Sequence, residues 1–126
     1  MKTSNDPRHQ KRQHRISLLF AQSFPSNQPI DSSISEIMEN MTEIDKTITH
    51  IAPEYPIDKI NKVELAILRL AIYEMTIEKE TPQKVIIDEA IELGKEYGGD
   101  STPVFINGAL GKLVKDQEKS EAKNSK

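Results

Sequence analysis

Between Val63 and Met75, ten of thirteen residues are apolar or alanine. The three exceptions, Glu64, Arg69 and Glu74, are spaced by five and share no helical face. A helix apolar nearly all round must be enclosed by other elements, so this segment, over 62–78, is the centre of the fold. It is too short and too often charged to span a membrane. Asn61-x-x-Glu64 has capping-box spacing at its start.

The other periodicities supply four helices to enclose it, and no strand-like alternation competes with them. Asp6-Pro7 is an N-cap followed by proline at the first helical position, and Pro25 disfavours helical dihedrals at Phe24. These signals predict a first helix running to about Ser23, with Ile16, Leu19, Phe20 and then Phe24 turned toward the core. Ile30, Ile34, Ile37, Met41, Ile44, Ile48 and Ile51 recur at steps of 4, 3, 4, 3, 4, 3. That is one apolar seam about 33 Å long. Ser33 and Glu36 have capping-box spacing near its start, and Pro53 and Pro56 end it.

Thr81-Pro82 opens a fourth helix with Ile86, Ala90, Leu93 and Tyr97 inward, stopped by Gly98-Gly99. Thr102-Pro103 opens a fifth, with Ile106, Leu110 and Leu113 at helical spacing. Gly94, Gly108 and Gly111 each cost about 1 kcal/mol in a helix relative to alanine, which points to close backbone approach at those positions. From Asp116 onward only Ala122 is apolar. The expectation is an all-α protein of five or six helices: one domain over 1–116, then a disordered polar tail over 117–126.

The absence of cysteine excludes disulfide frameworks, thiol nucleophiles and Cys-ligated metal sites. His9, His14 and His50 fit no metal-ligand spacing, and there is neither a Glu-x-x-His pair nor a glycine-rich phosphate loop. Asp88, Glu89, Glu92 and Glu96, interleaved with Lys84 and Lys95, read as a solvated ion-pair face rather than as acid–base carboxylates. No enzymatic activity, cofactor or metal is therefore expected. The longest apolar run near the N-terminus, Leu18 to Ala21, is too short for a signal peptide, and a cytoplasmic chain is expected.

The net charge of −3 conceals an asymmetry. Residues 1–15 carry Lys2, Arg8, Lys11, Arg12 and Arg15 against Asp6 alone, leaving −7 on the rest, concentrated as −6 over residues 31–58. Arg8, Lys11, Arg12 and Arg15 fall at i, i+3, i+4 and i+7, one basic stripe on a helix. Such a stripe suits the closely spaced phosphates of RNA, though calmodulin-type partners and anionic membrane surfaces recognise the same pattern.

Three blocks of residues arrive in a familiar order and spacing over roughly 58–115. They are the run from Val63 to Met75, the run from Thr81 to Leu93 followed by Lys95 and Tyr97-Gly98, and Phe105-Ile106-Asn107-Gly108-Ala109-Leu110. Together they resemble the NusB family of transcription antitermination factors. The basic stripe followed by Leu18-Leu19-Phe20 sits where that family has its arginine-rich stretch.

The resemblance implies two small helical subdomains, over about 7–56 and 57–116. It implies binding of boxA-type single-stranded RNA from ribosomal RNA leaders together with NusE, a small-subunit ribosomal protein, in an RNA polymerase antitermination complex. By position, Arg8, Lys11, Arg12 and Arg15 would hold phosphates, Asp100, Ser101, Thr102 and Phe105 would contact nucleotides, and Glu64 would face NusE. The chain departs from the family's pattern in four places. Arginine is sparser in the arm, with His9, Gln10, Gln13 and His14 interspersed. Only Pro25 to Pro29 separates the first helix from the isoleucine seam, where relatives have a longer segment with another helix. Val104 replaces a frequent basic residue, and Gly111 a frequent acid. Two other readings stand beside this one: a protein–protein adaptor or homodimer without an RNA role, and a stand-alone relative of the helical domain fused to ribosomal RNA cytosine methyltransferases.

Overall fold

A computed structural model describes residues 6–25 and 27–124, with side chains as far as Glu121. Lys2, counted above in the basic arm, lies outside the described residues, as do 125–126 of the expected tail. Six α-helices make up the described chain, with no strand among the described residues: α1 (Pro7–Gln22), α2 (Ser35–Glu39), α3 (Met41–Ile51), α4 (Lys62–Tyr73), α5 (Gln83–Tyr97) and α6 (Thr102–Asn124). The all-α expectation holds.

α4 is enclosed as its composition demands. Leu65, Ala66, Ile67, Leu68, Leu70, Ala71, Ile72 and Tyr73 are all buried, and α1, α3, α5 and α6 pack around them. A π-helical turn over Glu74–Glu78 continues α4, and Lys79, with φ of 57°, ends it in the left-handed region. One hydrophobic cluster runs from Ile16 to Leu113 and joins the 7–56 and 57–116 halves.

α1 starts as expected. The Asp6 carboxylate accepts from the Arg8 N–H at 2.9 Å, and that bond holds its carboxyl below the ordinary carboxylate range. No helix intervenes between α1 and a short 3₁₀ turn at Ser32–Ile34, so the shortened connection is real among the described residues. The isoleucine seam is not one helix. Asn40, at φ −103° and ψ 12°, breaks it into α2 and α3, its side-chain amide donating to Glu36 O alongside its own backbone N–H. Ile34, Ile37, Ile44, Ile48 and Ile51 still reach the core, whereas Ile30 lies ahead of the 3₁₀ turn, outside any helix, and is 52% exposed. Asp31, not Ser33, caps the 3₁₀ turn. Glu36 instead accepts from the Tyr73 hydroxyl, and burial, with this bond second, raises the phenol above its ordinary range.

Other boundaries shift for local reasons. α5 begins at Gln83 with Pro82 at the cap position and no side-chain cap bond, so Thr81 does not cap it. Gly98 stops α5 in an extended conformation rather than a left-handed one. It is needed for closeness: a Cβ there would lie 2.5 Å from Thr102 Oγ1. Gly94 also meets Thr102, at 3.2 Å, but a Cβ on Gly108 or Gly111 would touch nothing within 4 Å, so the close approach expected there is absent. The stretch from 117, expected as a disordered tail, is helical through Asn124, with Gln83 Nε2 donating to Gln117 Oε1 at 2.6 Å.

Candidate nucleic-acid interface

The four cations of the N-terminal stripe divide into two pairs. Arg8 and Lys11 are exposed. Arg12 is 8% exposed, and its guanidinium grips Glu74 through Nε at 2.9 Å and Nη2 at 2.7 Å, with Nη1 reaching Glu89 at 3.3 Å. Arg15 points inward as well, 3.8 Å from Glu78 and 5.8 Å from the Tyr73 ring centroid. On α1, Arg12 and Arg15 fall on the side of Ile16 and Leu19, which the helix buries against the body, whereas Arg8 shares their direction from the exposed first turn.

Glu74 and Glu89 are buried to meet these arginines, so Glu89 does not belong to the solvated face expected on α5. Glu96 is drawn in as well, accepting from His9 and Gln13. The expected pairing of Glu92 with Lys95 does form on the surface, at 3.6 Å. The 2.8 Å contact of His9 with Glu96 brings the first turns of α1 against the last turn of α5, whose next residues are Gly98, Gly99 and Asp100.

The α5–α6 corner is tied to α4. Thr102 Oγ1 accepts from the Gly99 N–H at 3.0 Å and donates to Glu64 Oε2 at 2.7 Å. Asn61 caps α4 by accepting from the Val63 and Glu64 N–H groups, while the Glu64 carboxylate, expected to close the capping box, serves Thr102 instead. Thr102 is buried, with its hydroxyl committed to Gly99 and Glu64. Asp100 and Ser101 are exposed beside it.

Glu64, Ser101 and Phe105 line one cleft of about 540 Å³ together with Tyr55, Lys59 and Val104. Tyr55, 49% exposed, meets Phe105 edge-to-face with centroids 5.8 Å apart, and Val104 is 75% exposed. Tyr55 and Lys59 carry no sequence signal for this role. Tyr55 lies between the helix-ending Pro53 and Pro56, fifty residues from Phe105, and only the fold brings them together. Tyr97, expected inward, is half exposed at the end of α5. No group of three or more acidic, His or Cys side chains is placed to hold a metal ion among the described residues, and no helix is long and apolar enough to cross a membrane.

The chain is 45% identical over 87 residues to the transcription antitermination protein NusB of Agathobacter rectalis, covering 69% of this chain and 66% of that one. It is 48% identical over 82 residues to the protein of the same name from Acetivibrio thermocellus, covering 65% of this chain and 57% of that one. The matched stretches thus span less than two thirds of those relatives' length, little more than half of the second. The solved structure of T. maritima NusB superposes with a TM-score of 0.79 at 30% identity, covering 96% of this chain and 99% of that one. The NusB family model matches residues 7–115, and the chain belongs to the NusB family.

Proposed function

We propose that this protein is an RNA-binding transcription antitermination factor that binds boxA-type RNA of ribosomal RNA leaders together with NusE. Family membership supports the class of activity. The observation that carries the RNA assignment is the pair of exposed cations, Arg8 and Lys11, on the turn of α1 whose His9 meets Glu96, four residues before the exposed Asp100. In this reading Arg8 and Lys11 hold phosphates, Asp100, Ser101 and Phe105 contact nucleotides, and Thr102 acts by fixing the corner. Arg12 and Arg15 contribute by anchoring the arm.

The charge balance supports dependence on a partner. With Arg12 and Arg15 spent on Glu74, Glu89 and Glu78, little free positive charge faces a polyanion. The body outside residues 1–15 carries −7. A basic protein docked near Glu64 neutralises that field and lengthens the cationic track, so the complex binds RNA more tightly than either protein alone.

Titrating boxA-type RNA across a salt series, with and without NusE, tests this. Replacing Arg8 and Lys11 by alanine should lower the salt slope by roughly 1.4, since each phosphate contact on single-stranded RNA contributes about 0.7. The fold should be intact, because both side chains are exposed. Glu64→Gln, which keeps an acceptor for Thr102 and removes the charge, should weaken NusE binding most at low salt. An unchanged slope in the arm variant makes the protein an adaptor without an RNA role. Undiminished NusE binding by Glu64→Gln removes Glu64 from the partner surface.

A further inference from the structure

Asn61 and Glu64 each have one polar atom fixed and one left over. Asn61 Oδ1 accepts from the Val63 and Glu64 N–H groups at 2.8 and 3.3 Å. Those two bonds set which way the amide points and leave its Nδ2 as a donor with no partner among the described residues. Glu64 Oε2 accepts from the Thr102 hydroxyl at 2.7 Å, and Oε1 is left as an acceptor. The donor and the acceptor lie three residues apart at the start of α4, and both line the cleft of about 540 Å³.

Tyr55 adds a flat wall to the same cleft. Its ring meets Phe105 at an interplanar angle of 83°, so whichever ring contributes its edge, at least one face of Tyr55 is not covered by Phe105. The residue is half exposed. Lys59, also lining the cleft, is exposed and makes no ion pair among the described residues. A π face, a donor beside an acceptor and a nearby cation are the complement of a nucleotide. Every one of the four bases carries a donor next to an acceptor on its Watson–Crick edge, and a paired base has already spent both. A basic side chain from a protein would find the Glu64 carboxylate, but it would be repelled by Lys59 and would leave the Asn61 donor unmatched.

We propose that this cleft is a nucleotide site in which an unpaired RNA base stacks on Tyr55 and bonds its Watson–Crick edge to Asn61 Nδ2 and Glu64 Oε1, with Lys59 on the adjoining phosphate. The proposal rests on the RNA-binding reading above and deepens it, adding Tyr55, Lys59 and Asn61 to the contacts and making the site selective for single strands. In that reading Glu64 also faces NusE, so base and partner meet at this carboxylate.

The chain contains no tryptophan, so Tyr55→Trp places a single indole in the cleft. A boxA-type oligonucleotide added in single-stranded form should quench its emission, and the same oligonucleotide annealed to its complement should not. Tyr55→Leu, which keeps apolar bulk beside Phe105 and removes the π face, should weaken single-strand binding roughly 5- to 100-fold and leave the salt slope unchanged. Lys59→Ala should instead lower that slope by about 0.7. Asn61→Asp, which keeps the acceptor that caps α4 and loses the donor, should weaken binding without lowering thermal stability. Wild-type affinity in Tyr55→Leu overturns the proposal. So does indole emission that ignores single-stranded RNA while Tyr55→Trp still binds it, and so does emission that responds to NusE but not to RNA, which assigns the cleft to the protein partner. If the wild-type protein binds RNA with a salt slope that depends on Arg8 and Lys11, and Tyr55→Leu matches it, the RNA reading stands and the cleft site falls. Absence of RNA binding by the wild-type protein takes both down.

Discussion

α4 and α1 are packed into the same core but are held there by different forces. α4 buries apolar side chains on nearly every side, and that attraction is non-directional, scaling with the area removed from water. α1 is a composite. Its second half buries Ile16 and Leu19, while its first half buries His9 and Arg12 in bonds that need a partner at a fixed distance and angle. Trimming α4 leaves a cavity that neighbours partly fill. Trimming the first half of α1 leaves charges with nowhere to go.

The sharpest way to break this comparison is Arg12→Ala against Leu68→Ala. The arginine's loss takes two bonds from the buried Glu74 and one from the buried Glu89, and should cost about 3–5 kcal/mol. Leu68, fully buried at the centre of α4, should cost about 2–5 kcal/mol, the figure depending on how far its neighbours collapse. Urea denaturation gives both, and the two should differ in their response to removal of the carboxylate charges. Adding Glu74→Gln and Glu89→Gln should reduce the penalty of Arg12→Ala and leave that of Leu68→Ala unchanged. Equal responses would mean that the cluster is solvated and that α1 is held like α4.

The same contrast explains what was legible in the sequence. The run from Val63 to Met75 announced its burial because apolar area is a property of the segment itself. So did the five inward isoleucines of the seam, despite the break at Asn40. The inward turn of Arg12 was not legible, because it depends on Glu74 and Glu89, 62 and 77 residues away. Periodicity assigns a charged residue to solvent by default and detects no partner at that separation. Resemblance named Glu64 and Phe105 as site residues, and the fold does gather them into one cleft. It named Thr102 too, whose role here is internal. Tyr55 and Lys59 were out of reach for the same reason as Arg12: their place is set by tertiary contact.

At a smaller scale, two glycines repeat the contrast between a position that depends on a fixed neighbour and one that does not. A Cβ on Gly98 would fall 2.5 Å from Thr102 Oγ1 and 2.6 Å from its Cβ. Thr102 cannot yield without losing its bonds to Gly99 and Glu64. Gly98→Ala should therefore cost about 1–3 kcal/mol, the range for overpacking a tight contact. The damage should also be local: amides at the start of α6 should exchange faster while those in α1 keep their protection.

Gly108 is the opposite case. It lies inside α6 with a negative φ, and an added methyl would meet nothing within 4 Å. The usual reason for glycine in a helix, close approach by another backbone, is missing, so only its entropic penalty is left. Gly108→Ala should stabilise the protein by about 0.5–1 kcal/mol, chiefly by restricting the unfolded chain. For a domain of this size that corresponds to a rise of roughly 2–4 °C in Tm, readable by calorimetry. Gly108 also lines a groove with Val104 and Phe105, beside the candidate nucleotide contacts. If the Tm rises while boxA-type RNA binding falls, glycine is present there for access by a ligand. A fall in Tm would instead mean that some neighbour does pack against Gly108, and α6 would then depend on directional contacts as α1 does.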